Sequence, residues 1–256
     1  MIRIGICASP DKAEAVRRAG YDYIELNLSA TAAMTDGEFA RAKESLAQAG
    51  IQAEAFNVMV PPQYHLTGPE ADLDPVKDYL EKALARAAEL GCKVIVFGSG
   101  GARRVPERWS AFDAWTQLAD YLKMAAPIAR ANGITIAIEP LRKQETNIIH
   151  TVKEGAALAA MVDDPHVGVL GDTYHMYAEG EPFSAFVEAR ERLRHVHTAE
   201  NVTRAFPSRG DGTDYAGMFR ALNEAGYDSR VSVEGACKDF DAEAAAALDV
   251  LRQARG

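Results

Sequence analysis

The sequence predicts a (β/α)8 barrel that forms a single domain over residues 1–256. One phrase recurs along the chain: an Ala-rich amphipathic stretch, then a glycine, then a short apolar run that ends in polar residues. This phrase occurs five times, and three further apolar runs bring the total to eight strand–helix units within about 250 residues, which matches the size of this barrel. A doubly wound sheet is the main alternative, but it usually carries a glycine-rich phosphate loop after its first strand. Here that turn reads CASPDK.

Eight apolar segments are predicted to be strands. Runs of four to six apolar residues are typical of buried parallel strands. Three of them are RIGIC at 3–7, VGVLGD at 167–172 and LRHVHTAE at 193–200. Each of the other five follows a glycine. They lie within the segments YDYIELN, IQAEAFN, CKVIVFG, ITIAIEP and YDSRVSVEG. Glycine readily takes the left-handed conformation found where helices end, so we expect helix termini at Gly20, Gly50, Gly91, Gly133 and Gly226.

Eight helix-like segments alternate with these strands. They lie at 10–19, 35–49, 72–90, 109–132, 152–163, 183–191, 213–225 and 240–254. No linker, charge block or low-complexity stretch divides the chain, which favours one domain.

The composition indicates a globular protein with a small-molecule partner. The net charge of -9 opposes tight, sequence-independent binding to nucleic acid or to an anionic membrane. The three cysteines have no CxxC spacing, so neither a disulfide framework nor a zinc finger is expected. The first residues carry no secretory signal pattern, and we therefore expect a cytoplasmic protein.

Four consecutive predicted strands end in a potential metal ligand: Glu139, Asp172, His197 and Glu234. Taken singly, a carboxylate at a strand end often caps the next helix, and a lone histidine is often a hydrogen-bonded core residue. In a barrel, however, these strand ends converge on the active-site face, where three anionic groups would repel one another. One divalent cation resolves that conflict. The oxygen-rich set favours Mn²⁺, with Mg²⁺, Co²⁺ or Zn²⁺ as alternatives.

The motifs around these residues resemble those of the xylose isomerase-like barrels, and among them the ketose 3-epimerases of the tagatose and allulose type. The resembling segments are IEPLRKQETN (138–147), GDTYHM (171–176), LRHVHTAEN with RAFPSRGDGTDY (193–215) and GYDSRVSVEG (226–235). The resemblance implies that Glu139, Asp172, His197 and Glu234 bind one divalent ion. It also implies that the two glutamates are the acid/base pair, moving a proton beside a carbonyl through an enediolate.

Three further residues are implied by the resemblance to bind substrate. They are Glu145, His175 and Arg204, the last of which lies seven residues after the metal histidine. His195 shares a face with His197 but is expected deeper in the barrel, outside the ligand set.

The loops predicted on the catalytic face are rich in basic residues. They carry Arg103, Arg104, Arg108, Arg142, Lys143, Arg204 and Arg209. Arg142 and Lys143 stand where similar ketose 3-epimerases usually have Asn-Arg, so the identity of the sugar stays open. One hypothesis is a substrate that bears a carboxylate or phosphate, because guanidinium groups match such anions. The other is that these side chains pair locally with carboxylates of the site.

Other functions on the same scaffold stay open. An enediolate that expels a hydroxyl instead of being reprotonated gives dehydration, as in inosose dehydratases. A hydrolase similar to endonuclease IV would need a histidine-rich three-zinc site, and six histidines in an acidic chain argue against it. Four intact ligands argue against a non-catalytic sugar-binding barrel. No organic cofactor motif occurs, and the resemblance implies a homo-oligomer, either a dimer or a tetramer.

Overall fold

The computed structural model describes every residue from Met1 to Gly256 and contains a closed barrel of eight parallel strands. The strands are β1 (Arg3–Cys7), β2 (Tyr23–Asn27), β3 (Ala53–Asn57), β4 (Val94–Phe97), β5 (Thr135–Ile138), β6 (Val167–Asp172), β7 (Leu193–Thr198) and β8 (Arg230–Val233). Each strand pairs with the next in sequence, and β8 pairs with β1 to close the ring. The predicted fold is confirmed.

Ten α-helices connect the strands. They are α1 (Ala13–Ala19), α2 (Leu28–Ala33), α3 (Asp36–Ala49), α4 (Leu73–Glu89), α5 (Ala111–Ala131), α6 (Val152–Val162), α7 (Thr173–Ala178), α8 (Ser184–Glu188), α9 (Tyr215–Glu224) and α10 (Phe240–Arg255), with a 3-10 turn at Pro10–Lys12. The eight predicted segments all contain helix, while α2 and α7 fall outside them. No helix has both the length and the apolar character needed to cross a membrane.

The glycines predicted to end helices do so. All five have positive φ angles, from 65° at Gly50 to 100° at Gly91. Residues with a Cβ are strained in this region, whereas glycine is not. These positions therefore turn the chain from helix to strand at little cost.

Strand residues alternate between the barrel interior and the layer beneath the helices. Along β2, Ile24 and Leu26 join the large apolar core that the helices cover, whereas Tyr23 belongs to a separate small cluster. That inner cluster consists of Tyr23, Ala55, Val94, Val96, Ala137 and Leu170. By the same alternation Glu25 faces the barrel interior. Gly5 leaves room for the Tyr23 ring, since a Cβ there would lie 2.3 Å from it.

Candidate metal and substrate site

The four strand-end residues lie together at one end of the barrel. Glu139 directly follows β5, Asp172 ends β6, His197 lies near the end of β7 and Glu234 directly follows β8. Each offers a carboxylate oxygen or an imidazole nitrogen, and these atoms all lie within 4.8 Å of one another. The structure therefore brings together the four side chains that the sequence predicted to converge at the strand ends.

His197 is at the centre of this group. It is fully buried, and its Nδ1 atom lies 3.3 Å from Glu139 Oε1 and 3.3 Å from Glu234 Oε2. Although burial opposes protonation, the charges of Glu25 and Glu234 hold the pKa of His197 well above its usual range. The pocket thus favours a positive charge at this position.

Asp172 combines the ordinary structural role with the functional one. Its Oδ1 atom accepts a hydrogen bond from the Tyr174 backbone N–H at 2.8 Å, which caps α7. Its Oδ2 atom faces the cluster, 3.4 Å from Arg204 Nη2 and 3.5 Å from His175 Nε2. Capping with one oxygen therefore orients the other toward the site.

The two glutamates have different surroundings. Burial raises the pKa of Glu139 above its ordinary value. Burial acts in the same direction on Glu234, but His197 and Arg204 outweigh it and lower the pKa of Glu234 to about 2. Arg204 Nη2 lies 2.5 Å from Glu234 Oε2, and Asn57 donates to Oε1 at 2.9 Å.

The donor set fits a hard divalent cation. Three carboxylates and one imidazole are buried or half-buried side by side, which is costly unless they are paired or bind a metal. A second sign is His175 Nε2, which is buried beside Asp172 and has no hydrogen-bond partner. Oxygen-rich sets of this kind suit Mn²⁺ or Mg²⁺ better than a thiolate-type zinc site does.

The three residues expected to bind substrate lie around this cluster. Arg204 contacts Glu234 and Asp172, and its Nη1 atom lies 3.9 Å from Glu145 Oε1. Glu145 also accepts from Arg142 Nε at 2.8 Å. Arg204, Glu145, Glu139 and Glu234 line a cavity of about 310 Å³. His175 is buried beside the cluster, with Nε2 3.5 Å from Asp172 Oδ2, and does not line this cavity.

Arg103 is an exception among the basic loop residues. It is fully buried and donates to the carbonyl oxygens of Phe97 and Glu139 at 3.0 and 2.7 Å. Burial lowers the pKa of its guanidinium to about 10. Counting Arg103 among the groups that could meet an anionic substrate was wrong, since it holds the backbone beneath the site.

Most of the other basic residues in the set pair within the chain. Arg142 bonds Glu145 at 2.8 Å and Lys143 bonds Glu179 at 2.8 Å. Arg104 donates to the Glu145 carbonyl oxygen at 3.1 Å, and Arg209 donates to Gln253 at 2.9 Å. These contacts favour local pairing over recognition of an anionic substrate.

Glu25 is a residue of the site that sequence reasoning missed. It is fully buried inside the barrel, and its carboxylate bonds both His195 and His197 at 2.9 Å. His195 lies deeper than the four candidate ligands, as expected, with its ring 5.0 Å from that of His197. The only signal in the sequence was a carboxylate between the apolar residues Ile24 and Leu26 of the strand YIELN.

A second group of potential ligands consists of Cys7, Glu25 and His197. Burial, together with the nearby carboxylates, raises the pKa of the Cys7 thiol well above its usual value. Cysteine binds metals as the thiolate, which this environment disfavours. His197 Nε2 is also already bonded to Glu25. The four-residue group is therefore the better candidate for a metal site.

A larger cavity, of about 850 Å³, is lined mainly by residues between 101 and 115 and between 147 and 154. Its lining includes Trp109, Trp115 and His150 but none of the clustered residues. Donor geometry, rather than cavity size, locates the candidate site.

Comparisons with known proteins identify the family and the fold. A family model described as a xylose isomerase-like TIM barrel matches residues 13–254. The chain is 29% identical to a ketose 3-epimerase of Arthrobacter globiformis, over 85% of this chain and 74% of the relative. It is 31% identical to an L-ribulose 3-epimerase of Methylomonas sp. (strain DH-1), with the same coverage. A crystal structure of D-psicose 3-epimerase in the presence of D-fructose superposes with a TM-score of 0.88, at 22% identity and 100% coverage of both chains, which shows a shared fold.

Proposed function

Because the chain belongs to the xylose isomerase-like TIM barrel family, we propose that it is a divalent-metal-dependent sugar isomerase or epimerase. The reaction is a proton transfer beside a carbonyl, of the ketose 3-epimerase type. The observation that carries this proposal is the cluster of three carboxylates and one imidazole at the ends of four consecutive strands. Both named sequence relatives are sugar 3-epimerases, which supports the same class of reaction.

In this proposal Glu139, Asp172, His197 and Glu234 hold the ion, with Mn²⁺ as the first choice. When bound, it supplies Lewis acidity that stabilises negative charge on the oxygen of an enolised sugar. The fit rests on the donor atoms, which lie within 4.8 Å of one another, and on the oxygen-rich character of the set.

Glu139 and Glu234 are the proposed acid/base pair. They follow β5 and β8, which are three strands apart around the barrel, so they approach the pocket from different sides. A sugar carbon between them meets one carboxylate on each face. One glutamate then removes the proton and the other returns a proton to the opposite face, which inverts the carbon.

Arg204, Glu145 and His175 are the proposed substrate-binding residues. Arg204 and Glu145 line the 310 Å³ cavity, where a guanidinium and a carboxylate can each bond a sugar hydroxyl. His175 offers a buried Nε2 atom that has no protein partner. The three groups would fix the orientation of the carbonyl relative to the two glutamates.

Deuterium exchange tests this function. Mn²⁺-loaded protein is incubated in D₂O with neutral ketoses, keto acids and keto-sugar phosphates, and NMR follows deuterium that enters beside a carbonyl. We expect exchange and inversion with a neutral ketose, and loss of both in Glu234→Gln. Exchange followed by loss of water would indicate a dehydratase instead. No exchange across the panel, in protein that holds metal, would refute proton transfer beside a carbonyl.

A further inference from the structure

Glu25 is the one fully buried carboxylate that the proposed reaction leaves without a role. From its contacts we infer that Glu25 is a positioning residue, which fixes the ring orientation and the tautomer of His197 so that Nδ1 faces the metal. This inference rests on the proposed metal site. It does not make Glu25 a metal ligand or a catalytic residue.

The two nitrogens of His197 face opposite partners. Nδ1 lies 3.3 Å from Glu139 and from Glu234, on the side of the ligand cluster. Nε2 lies 2.9 Å from Glu25 Oε1, on the side of the barrel interior. A neutral imidazole carries one proton, and an ionised carboxylate can only accept it. In the neutral form, which is the form that binds a metal, Glu25 therefore holds the proton of His197 on Nε2 and leaves the lone pair of Nδ1 directed at the site.

The carboxylate of Glu25 is itself held in place. Its second oxygen bonds His195 Nε2 at 2.9 Å, so neither oxygen is free to turn toward the cluster. Ser232, on the neighbouring strand, lies 3.3 Å from the same nitrogen, and the Tyr23 hydroxyl lies 2.7 Å from Ser232. This chain of buried polar groups runs from Tyr23 through Ser232 and His195 to Glu25, which contacts His197.

The packing also explains why a carboxylate is tolerated at this depth. An unpaired buried charge is expensive, but Glu25 meets two imidazoles. Each of its two oxygens lies 2.9 Å from an imidazole nitrogen, so each can accept a hydrogen bond from one of the two histidines. A metal-bound histidine whose other nitrogen donates to a carboxylate is a recurrent arrangement that orients the ligand.

The chain offers a matched control. Glu54 is also a buried carboxylate inside a strand, on β3, but it pairs with Arg3 and Arg230 at 2.7 Å and contacts none of the four proposed ligands. Substituting Glu25 or Glu54 with glutamine removes one buried charge in each case. Only the change at Glu25 removes a charge that contacts His197, the proposed metal ligand.

The test measures Mn²⁺ affinity by calorimetry in the wild type, Glu25→Gln and Glu54→Gln. Electron spin-echo spectra of the loaded proteins report the ¹⁴N coupling of a directly bound imidazole. We expect Glu25→Gln to weaken Mn²⁺ binding by about 10- to 100-fold and to alter the ¹⁴N coupling. Glu54→Gln keeps the wild-type affinity and spectrum even where it lowers the melting temperature. Glu25→Asp, which retains the charge, should recover part of the affinity and serves if the glutamine variant does not fold.

The outcomes separate the two proposals. Wild-type protein that binds no Mn²⁺ would overturn the proposed function, and this inference with it. Wild-type binding with an unchanged affinity and ¹⁴N coupling in Glu25→Gln would overturn the role of Glu25 alone. Equal losses in the Glu25 and Glu54 variants would also overturn it, since they would indicate a general effect of barrel stability.

Discussion

Replacing Gly98 with alanine would push a methyl group against the proposed site. Gly98 directly follows β4, and a Cβ there would lie 2.1 Å from Glu139 Oε2, where ordinary contacts are 3.4–4 Å. The carboxylate must therefore move by more than about 1 Å. A misplacement of a catalytic group by about 1 Å lowers the reaction rate by about 100-fold. This decrease corresponds to a loss of about 2.7 kcal/mol of transition-state stabilisation.

The fold itself should tolerate Gly98→Ala. The φ angle of Gly98 is not positive, so alanine meets no backbone strain, and the clashing atom is the end of a side chain. We therefore expect kcat/KM and Mn²⁺ affinity to fall, with little change in melting temperature. Gly37→Ala is the control, because its Cβ on the exposed face of α3 would meet only Arg41 at 3.7 Å. Full activity and unchanged Mn²⁺ affinity in Gly98→Ala would refute the placement of Glu139 in the working site.

Three further perturbations have defined outcomes. In Gly168→Ala the new Cβ would lie 2.2 Å from the Arg192 carbonyl oxygen. Because a backbone atom cannot move away as the end of a side chain can, we expect the free energy of unfolding measured in urea to fall by about 1–3 kcal/mol. An unchanged unfolding midpoint would contradict this packing. Arg204 reaches Glu234 and Asp172 through Nη2 and Glu145 through Nη1; Arg204→Lys replaces these two nitrogens with a single ammonium and should lower kcat/KM about tenfold, chiefly through KM, whereas wild-type kinetics would remove Arg204 from the site. Chelation should abolish activity and lower the melting temperature, and Mn²⁺ at about 100 times its Kd should restore about 2.7 kcal/mol; a melting curve indifferent to metal would contradict the metal site.

The fold and the four clustered residues could be predicted because they depend on local signals. Glycine at helix ends marks five of the helix-to-strand turns, and the residue that closes an apolar run marks the carboxyl end of a strand. Once eight such units form a barrel, their carboxyl ends meet on one face. Glu139 and Asp172 are therefore brought together by topology, although they are 33 positions apart in the chain.

Other features depend on tertiary contacts that the sequence does not display. The strand around Glu25 is buried on both faces, so its residues do not alternate between polar and apolar. The sequence pattern therefore does not show that the Glu25 side chain faces the barrel interior. Arg103 looks like any arginine in a polar loop, yet its position beneath Phe97 and Glu139 buries it. The helices α2 and α7 have six residues each, too few to show a helical period, and begin with side-chain caps from Asn27 and Asp172.

The fate of hydrogen in the first turnovers tests the two-glutamate reaction most directly. A ketose that the protein epimerises is converted in D₂O, and NMR measures deuterium at the inverted carbon of the earliest product and at the same carbon of the recovered substrate. With one glutamate on each face, the product should carry solvent deuterium from the start while the recovered substrate keeps its hydrogen. A product that retains the substrate's own hydrogen would contradict the pairing of Glu139 with Glu234.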